Sequence, residues 1–166
     1  MIKDANYWIQ QLKLIPHPEG GHFTETYKSQ IHFSADELND CVTNKKCSSL
    51  IYFLLQKDDF SAFHKLKSDE VWIYNGGSAI NIYIIDEKGE LNIELFGSDI
   101  DKGENLQVFI PANSWFAAEL INKDNFCLMS CLVSPAFEWD DFELGNRNFL
   151  EAKYPKHKAL FNRLCK

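Results

Sequence analysis

The sequence carries no excess of positive charge, no long apolar run and no paired-cysteine motif, and each absence excludes a class of protein. Seventeen Lys and Arg stand against 24 Asp and Glu, a formal net charge of −7. A phosphate-backbone binder needs the opposite, a basic face. The basic clusters Lys45-Lys46 and Lys153 to Lys158 are short and outweighed by acid, so no nucleic-acid role is expected. No segment approaches the ~18 apolar residues needed to cross a bilayer, so no membrane role is expected either. The start, Met1-Ile2-Lys3-Asp4-Ala5-Asn6, lacks a basic stretch followed by an apolar one, and no secretory leader is expected. The five cysteines (Cys41, Cys47, Cys127, Cys131, Cys165) form an odd set without a Cys-x-x-Cys pair. They imply neither a disulfide framework nor a zinc site. Cys127 and Cys131 fall inside the apolar run 126–133, where thiols pack as small apolar groups. The expected compartment is the reducing cytoplasm.

What is present is a regular series of short apolar segments. At 166 residues the chain is expected to form one domain with a sizeable core. Ala5, Trp8, Ile9 and Leu12 follow helical spacing, with Asp4 as N-cap, and Pro16 and Pro18 stop the helix. Glu19-Gly20-Gly21 reads as a turn into an alternating strand, 22–27, in which Phe23, Glu25 and Tyr27 share one face. Strands follow over 49–55, 60–66, 70–74, 79–85, 91–96, 106–110, 115–120 and 126–133, and residues 34–48 read as loop. Short strands with turn signals every 8–12 residues are the pattern of an all-β sandwich or closed barrel. The tail returns to helix over 148–153 and 156–164, broken at Pro155. Aromatic residues make up 14% of the chain, thirteen of them Phe, which fits either a well-filled core or a pocket with aromatic walls.

The segment His64-Lys65-Leu66-Lys67-Ser68-Asp69-Glu70, followed by Gly77, carries the most chemistry. His64 and Leu66 lie two apart on a strand and face one side; Glu70 arrives on the next strand across a tight turn. The frame resembles the metal-binding motif of cupins, where a His-x-His pair, a Glu and a later His offer three imidazoles and a carboxylate to a divalent ion. Leu66 stands for the second His here. In the later stretch Pro111-Ala112-Asn113-Ser114-Trp115-Phe116, Phe116 stands for the third. One imidazole and one carboxylate make a weak metal site, so no cofactor is expected, with His64 and Glu70 as the two residues that a divalent metal would use.

Longer stretches extend the resemblance across nearly the whole chain. Pro18-Glu19-Gly20-Gly21-His22-Phe23, residues 49–55, 63–72 and 107–115, and Val133-Ser134-Pro135-Ala136-Phe137-Glu138-Trp139-Asp140-Asp141-Phe142 together resemble cupin family five, a family of mostly uncharacterised small cupins. The resemblance implies a cupin double-stranded β-helix, a jelly-roll barrel with a short N-terminal helix and C-terminal helices, and commonly a homodimer. It implies no agreed reaction. This chain departs from the family pattern with Ala136 and Asn113 where Gly is usual, and with Ile73-Tyr74 where a histidine often follows the Trp.

These features place a small-molecule ligand in the barrel mouth. Three functions fit them. The first is a metal-free isomerase or epimerase, or a plain binder, acting on a polar or sugar-derived compound. There His64, paired with Glu70, serves as base and Tyr74, Tyr52 or Tyr27 as the opposing acid. The second is a metal-dependent oxygenase or decarboxylase built on His64, Glu70 and Gln107. The third is a non-catalytic sensor or interaction module. Catalytic roles are assigned to His64, Glu70 and Tyr74, and ligand contacts to Glu25, Tyr27, Tyr52, Lys67, Gln107 and Trp115. The other histidines, His17, His22, His32 and His157, read as surface or structural, and Glu138, Asp140, Asp141 and Glu143 as a solvated acidic rim.

Overall fold

A computed structural model describes residues 3–33 and 45–166; Cys41 and most of the expected loop 34–48 lie outside them. Helix α1 spans Ala5–Gln11, and the side chain of Asp4 caps it by accepting a hydrogen bond from the Tyr7 amide at 2.9 Å. The strands are β1 (Ile15–Pro16), β2 (His22–Lys28), β3 (Ser49–Gln56), β4 (Phe60–Leu66), β5 (Asp69–Gly77), β6 (Ile80–Ile85), β7 (Leu91–Phe96), β8 (Gln107–Ile110), β9 (Trp115–Leu120), β10 (Phe126–Ser134) and β11 (Phe142–Leu144). Helices α2 (Arg147–Lys153) and α3 (Lys158–Leu164) follow, joined by a 3-10 turn over Pro155–His157.

The strands form two antiparallel sheets, ordered β1-β2-β3-β10-β5-β8 and β11-β4-β9-β6-β7, and the jelly-roll expectation holds. Their facing sides enclose a core that includes Phe53, Leu55, Trp72, Ile82, Phe96, Phe116 and Met129. Both sheets are also covered outside. Leu54 and Leu128 on β3 and β10 pack under Trp8, Ile9 and Leu12 of the N-terminal segment. Phe63 and Trp115 on β4 and β9 pack with Leu150, Phe161 and Leu164 of the C-terminal helices. Two-sided burial is why β3 and β10 read as nearly continuous apolar runs rather than alternating ones.

Period two along each strand then decides what reaches the barrel interior. On β4, Phe63 points outward and His64 inward; on β9, Trp115 points outward and Phe116 inward. Two short strands escape the sequence pattern. The two residues of β1 and the three of β11 are too few to show a period.

Phe161→Ala should lower unfolding free energy by about 3–5 kcal/mol, because its ring is fully buried and meets Phe63 edge to face at 5.1 Å. Urea denaturation measures this; a loss below about 1 kcal/mol would mean that α3 is not part of the cooperative core.

Candidate functional site

A cavity of about 50 Å³ opens at the end of the barrel where β3 and β5 begin and β4 and β10 end. Phe23, Phe53, Leu66, Trp72, Phe137 and Phe142 supply most of its wall, and His17, Glu19, His64 and Glu70 are its ionisable residues apart from Cys131. None of the lining residues is Lys or Arg.

Glu19 enters this space from the loop before β2. His17 N–H donates to the Gly21 carbonyl at 3.0 Å, Gly20 N–H to the His17 carbonyl at 3.0 Å, and Ala62 N–H to the Glu19 carbonyl at 2.9 Å. Gly20 has φ 123, and a Cβ there would collide with the Phe60 carbonyl oxygen. Only glycine lets the loop lie this close to β4. The side chain of Glu19 thereby ends up 7% exposed, between two imidazoles.

Hydrogen-bond bookkeeping fixes where the protons are. His64 Nδ1 lies 2.8 Å from the Ala62 carbonyl; a carbonyl only accepts, so Nδ1 carries the hydrogen. Its other nitrogen, Nε2, faces Glu19 Oε2 at 3.2 Å. Glu19 N–H donates to His17 Nδ1 at 3.3 Å, so that nitrogen presents a lone pair, and it too lies 3.3 Å from Glu19 Oε2. Ser61 Oγ donates to Glu19 Oε1 at 2.7 Å. A bare carboxylate oxygen would face two nitrogen lone pairs. The contact becomes favourable when one proton sits between Glu19 and His64, on either partner.

Burial selects the uncharged form of the pair. It pushes the His64 imidazole down to about 4 and holds His17 below its ordinary value. It raises the Glu19 carboxyl. The surroundings explain the direction: Phe142 packs on both imidazoles, Phe116 lies 4.0 Å from the His64 ring centre, and Trp139 stacks on His17 at 5.7 Å. Charged forms are costly in such a setting. Glu70 is driven the same way, up to about 8, chiefly by its own burial. Burial thus pushes each of these groups towards its uncharged form, the two carboxyls towards the protonated acid and the two imidazoles towards the free base.

The structure brings His64 and Glu70 to one cavity and leaves the other sequence candidates outside its lining. Tyr74 lies farther along β5, packs on Phe96, and donates its hydroxyl to the Gly77 carbonyl at 2.6 Å. Gln107 is exposed on the edge strand β8 beside it. Tyr52 faces the outer, α1 side of its sheet. Trp115 faces the C-terminal helices, with Lys65 over its ring. A register shift between Glu25 and Tyr27 breaks the alternation expected of β2. Glu25 borders a groove next to the mouth, and Tyr27 is half exposed. Lys67 stands at the rim, 3.1 Å from the Asp140 carbonyl and 3.6 Å from Asp141 Oδ1. Asp141 itself is buried and paired with Lys45 rather than solvated.

His17 and Glu19 are the residues that sequence reasoning placed elsewhere, in surface and turn roles. Only the family-like stretch beginning at Pro18 marked their neighbourhood. A metal fits poorly here. Leu66 and Phe116 occupy the positions from which two imidazoles would come, and His64 Nε2 is already turned to Glu19.

Because the folded chain keeps the Glu70 proton to about pH 8 while the unfolded chain releases it near 4.5, stability should fall as pH rises between these values, by at most about 1.4 kcal/mol per pH unit. The His64 shift acts oppositely, costing stability as pH falls from 6.5 towards 4. Denaturation midpoints against pH should show both limbs, and Glu70→Gln should flatten the alkaline one. An unchanged alkaline limb in that variant would refute the assignment.

The profile described as Cupin superfamily (DUF985) matches residues 6–145. An uncharacterized protein of Saccharomyces cerevisiae is 29% identical over 143 residues, covering 80% of this chain and 71% of its own. Among solved structures, a Shewanella oneidensis protein is 35% identical with TM-score 0.90, covering 99% of both chains. A hypothetical protein from Leishmania major is 29% identical with TM-score 0.88, covering 98% of both. Oxalate decarboxylase from Bacillus subtilis shares the fold alone, at 14% identity and TM-score 0.55 over 90% of this chain and 36% of that one. The chain belongs to the cupin superfamily, in the family described as DUF985.

Proposed function

We propose that this protein binds a small organic molecule in the barrel mouth and moves protons on it without a metal, as an isomerase or epimerase does. One observation carries the reading: Glu19 Oε2 lies 3.2 Å from His64 Nε2 in the cavity that Glu70 also lines, a geometry suited to one proton held between Glu19 and His64 and a second on Glu70, whose proton affinity burial raises. Paired groups with displaced proton affinities are the working parts of general acid–base catalysis. The steps balance within the site. The His17–Glu19–His64 cluster takes a proton from substrate carbon, the bond's electron pair moves on to an oxygen, and Glu70 supplies the proton that this oxygen needs. Return of both protons, one to a different carbon or face, restores the site. A metal-dependent oxygenase has less support, because the His17 and His64 nitrogens that could serve as ligands are both turned to a Glu19 oxygen.

Native mass spectrometry of gently purified protein, with elemental analysis of the same sample, tests this first. An organic adduct that gains deuterium in heavy water is the expected result. A stoichiometric transition metal that disappears in His64→Ala overturns the reading. Glu19→Gln should slow deuterium uptake by about 10²–10⁴-fold. Glu70→Gln should remove the alkaline limb of its pH profile, which a merely structural role would not do.

A further inference from the structure

Two polar groups in the cavity wall lie within reach of each other, and Glu70 within reach of Cys131 as well, yet neither completes a well-aligned hydrogen bond. Glu70 Oε2 and the indole Nε1 of Trp72 are buried without a hydrogen bond of good geometry, at 6% and 1% residue exposure. Unmet polar atoms at this depth are costly and rare, and both residues line the cavity. Glu70 forms no ion pair among the described residues, and the lysines around the mouth are committed elsewhere. Lys28 pairs with Glu138 at 2.8 Å, Lys65 with Glu143 at 2.9 Å, and Lys45 with Asp141. Lys67 at the rim donates to the Asp140 carbonyl at 3.1 Å, no Lys or Arg among the described residues lines the cavity itself, and burying a phosphate or carboxylate there would cost heavily. An uncharged oxygen fits instead, accepting from an indole N–H and a carboxyl O–H.

The space sets the rest of the ligand. About 50 Å³ of cavity holds only a few water-sized groups. Phe23, Ile51 and Phe137 also line a neighbouring groove of about 270 Å³ that runs past Trp139. Trp139 is 54% exposed, and Phe137 meets it edge to face at 5.0 Å. An exposed indole at the mouth of a dry pocket is a surface on which a flat apolar body stacks.

Building on the acid–base reading above, we infer that the substrate is an uncharged carbonyl compound with a flat apolar body, its oxygen held by the Trp72 indole N–H and the Glu70 carboxyl and its body laid along Phe137 and Trp139. This narrows the polar or sugar-derived class expected from sequence and excludes sugar phosphates and nucleotides as the bound head.

Three probes of one shape separate the contributions: acetophenone, ethylbenzene, which lacks the oxygen, and benzoylformate, which adds a carboxylate. In saturation-transfer NMR titrations of the full chain, acetophenone should bind at least about tenfold more tightly than either. Trp72→Phe should erase its advantage over ethylbenzene, as should Glu70→Leu if the first variant folds poorly. Trp139→Ala, a change at an exposed position, should weaken acetophenone and ethylbenzene equally. Equal binding of ethylbenzene, tighter binding of benzoylformate, or no binding of any probe overturns the inference. Those outcomes leave the acid–base reading intact where the native adduct exchanges deuterium, whereas a bound transition metal removes that reading whatever the probes do.

Discussion

Glu19 is held where a carboxyl group is hardest to keep, inside an aromatic barrel mouth between two imidazoles, and its position depends on several weak supports acting together. The Gly20 backbone lies against the Phe60 carbonyl, Ala62 N–H holds the Glu19 carbonyl, and Ser61 satisfies one side-chain oxygen. None of these is strong alone. Each removes an alternative position for the loop, and together they set the carboxyl 3.2 Å from His64 Nε2, where a proton between the two makes the contact favourable. Once that proton is in place, the site needs no counter-ion, and the absence of Lys and Arg from the wall follows without penalty.

The architecture explains why such a pocket exists only where it does. Between the sheets, rings such as Phe53, Phe96 and Phe116 fill the barrel. Towards the mouth, small or short residues, Ser49, Cys131 and Val133, alternate with the ionisable groups and leave room. Outside, the helices cover Phe63 and Trp115 on one sheet and Leu54 and Leu128 on the other. A barrel buried on both faces has a stiff wall, which holds Glu70 and Trp72 beside each other without a well-aligned hydrogen bond. The same dryness shifts every ionisable group of the cavity towards its uncharged form, so binding of a neutral ligand and storage of protons have one cause.

Local pattern alone identified Asp4 as a cap, the apolar run of β10 as a buried strand, and His64 with Leu66 as sharing one face; the resemblance to the cupin frame added Glu70. Each depends on neighbours within a few residues, where periodicity and capping chemistry operate. Pattern misled where geometry is set from a distance. The register shift in β2 separates Glu25 from Tyr27, and the C-terminal helices draw Trp115 away from the mouth. Strand β11 appears only because β4 offers an edge for it to pair with, and Asp141 is buried because Lys45 comes to meet it.

By itself the sequence determined an all-β chain of short strands flanked by terminal helices, with His64 and Leu66 on one face of their strand, because strand parity and apolar spacing are short-range properties of the chain. The tertiary structure decided which groups meet. His17 and Glu19 reach His64 from more than forty positions away along the chain, and whether a carboxyl there is charged depends on the rings that exclude water around it. Contacts at that separation leave no period to read, and proton affinity is a property of the assembled surroundings rather than of any residue in isolation.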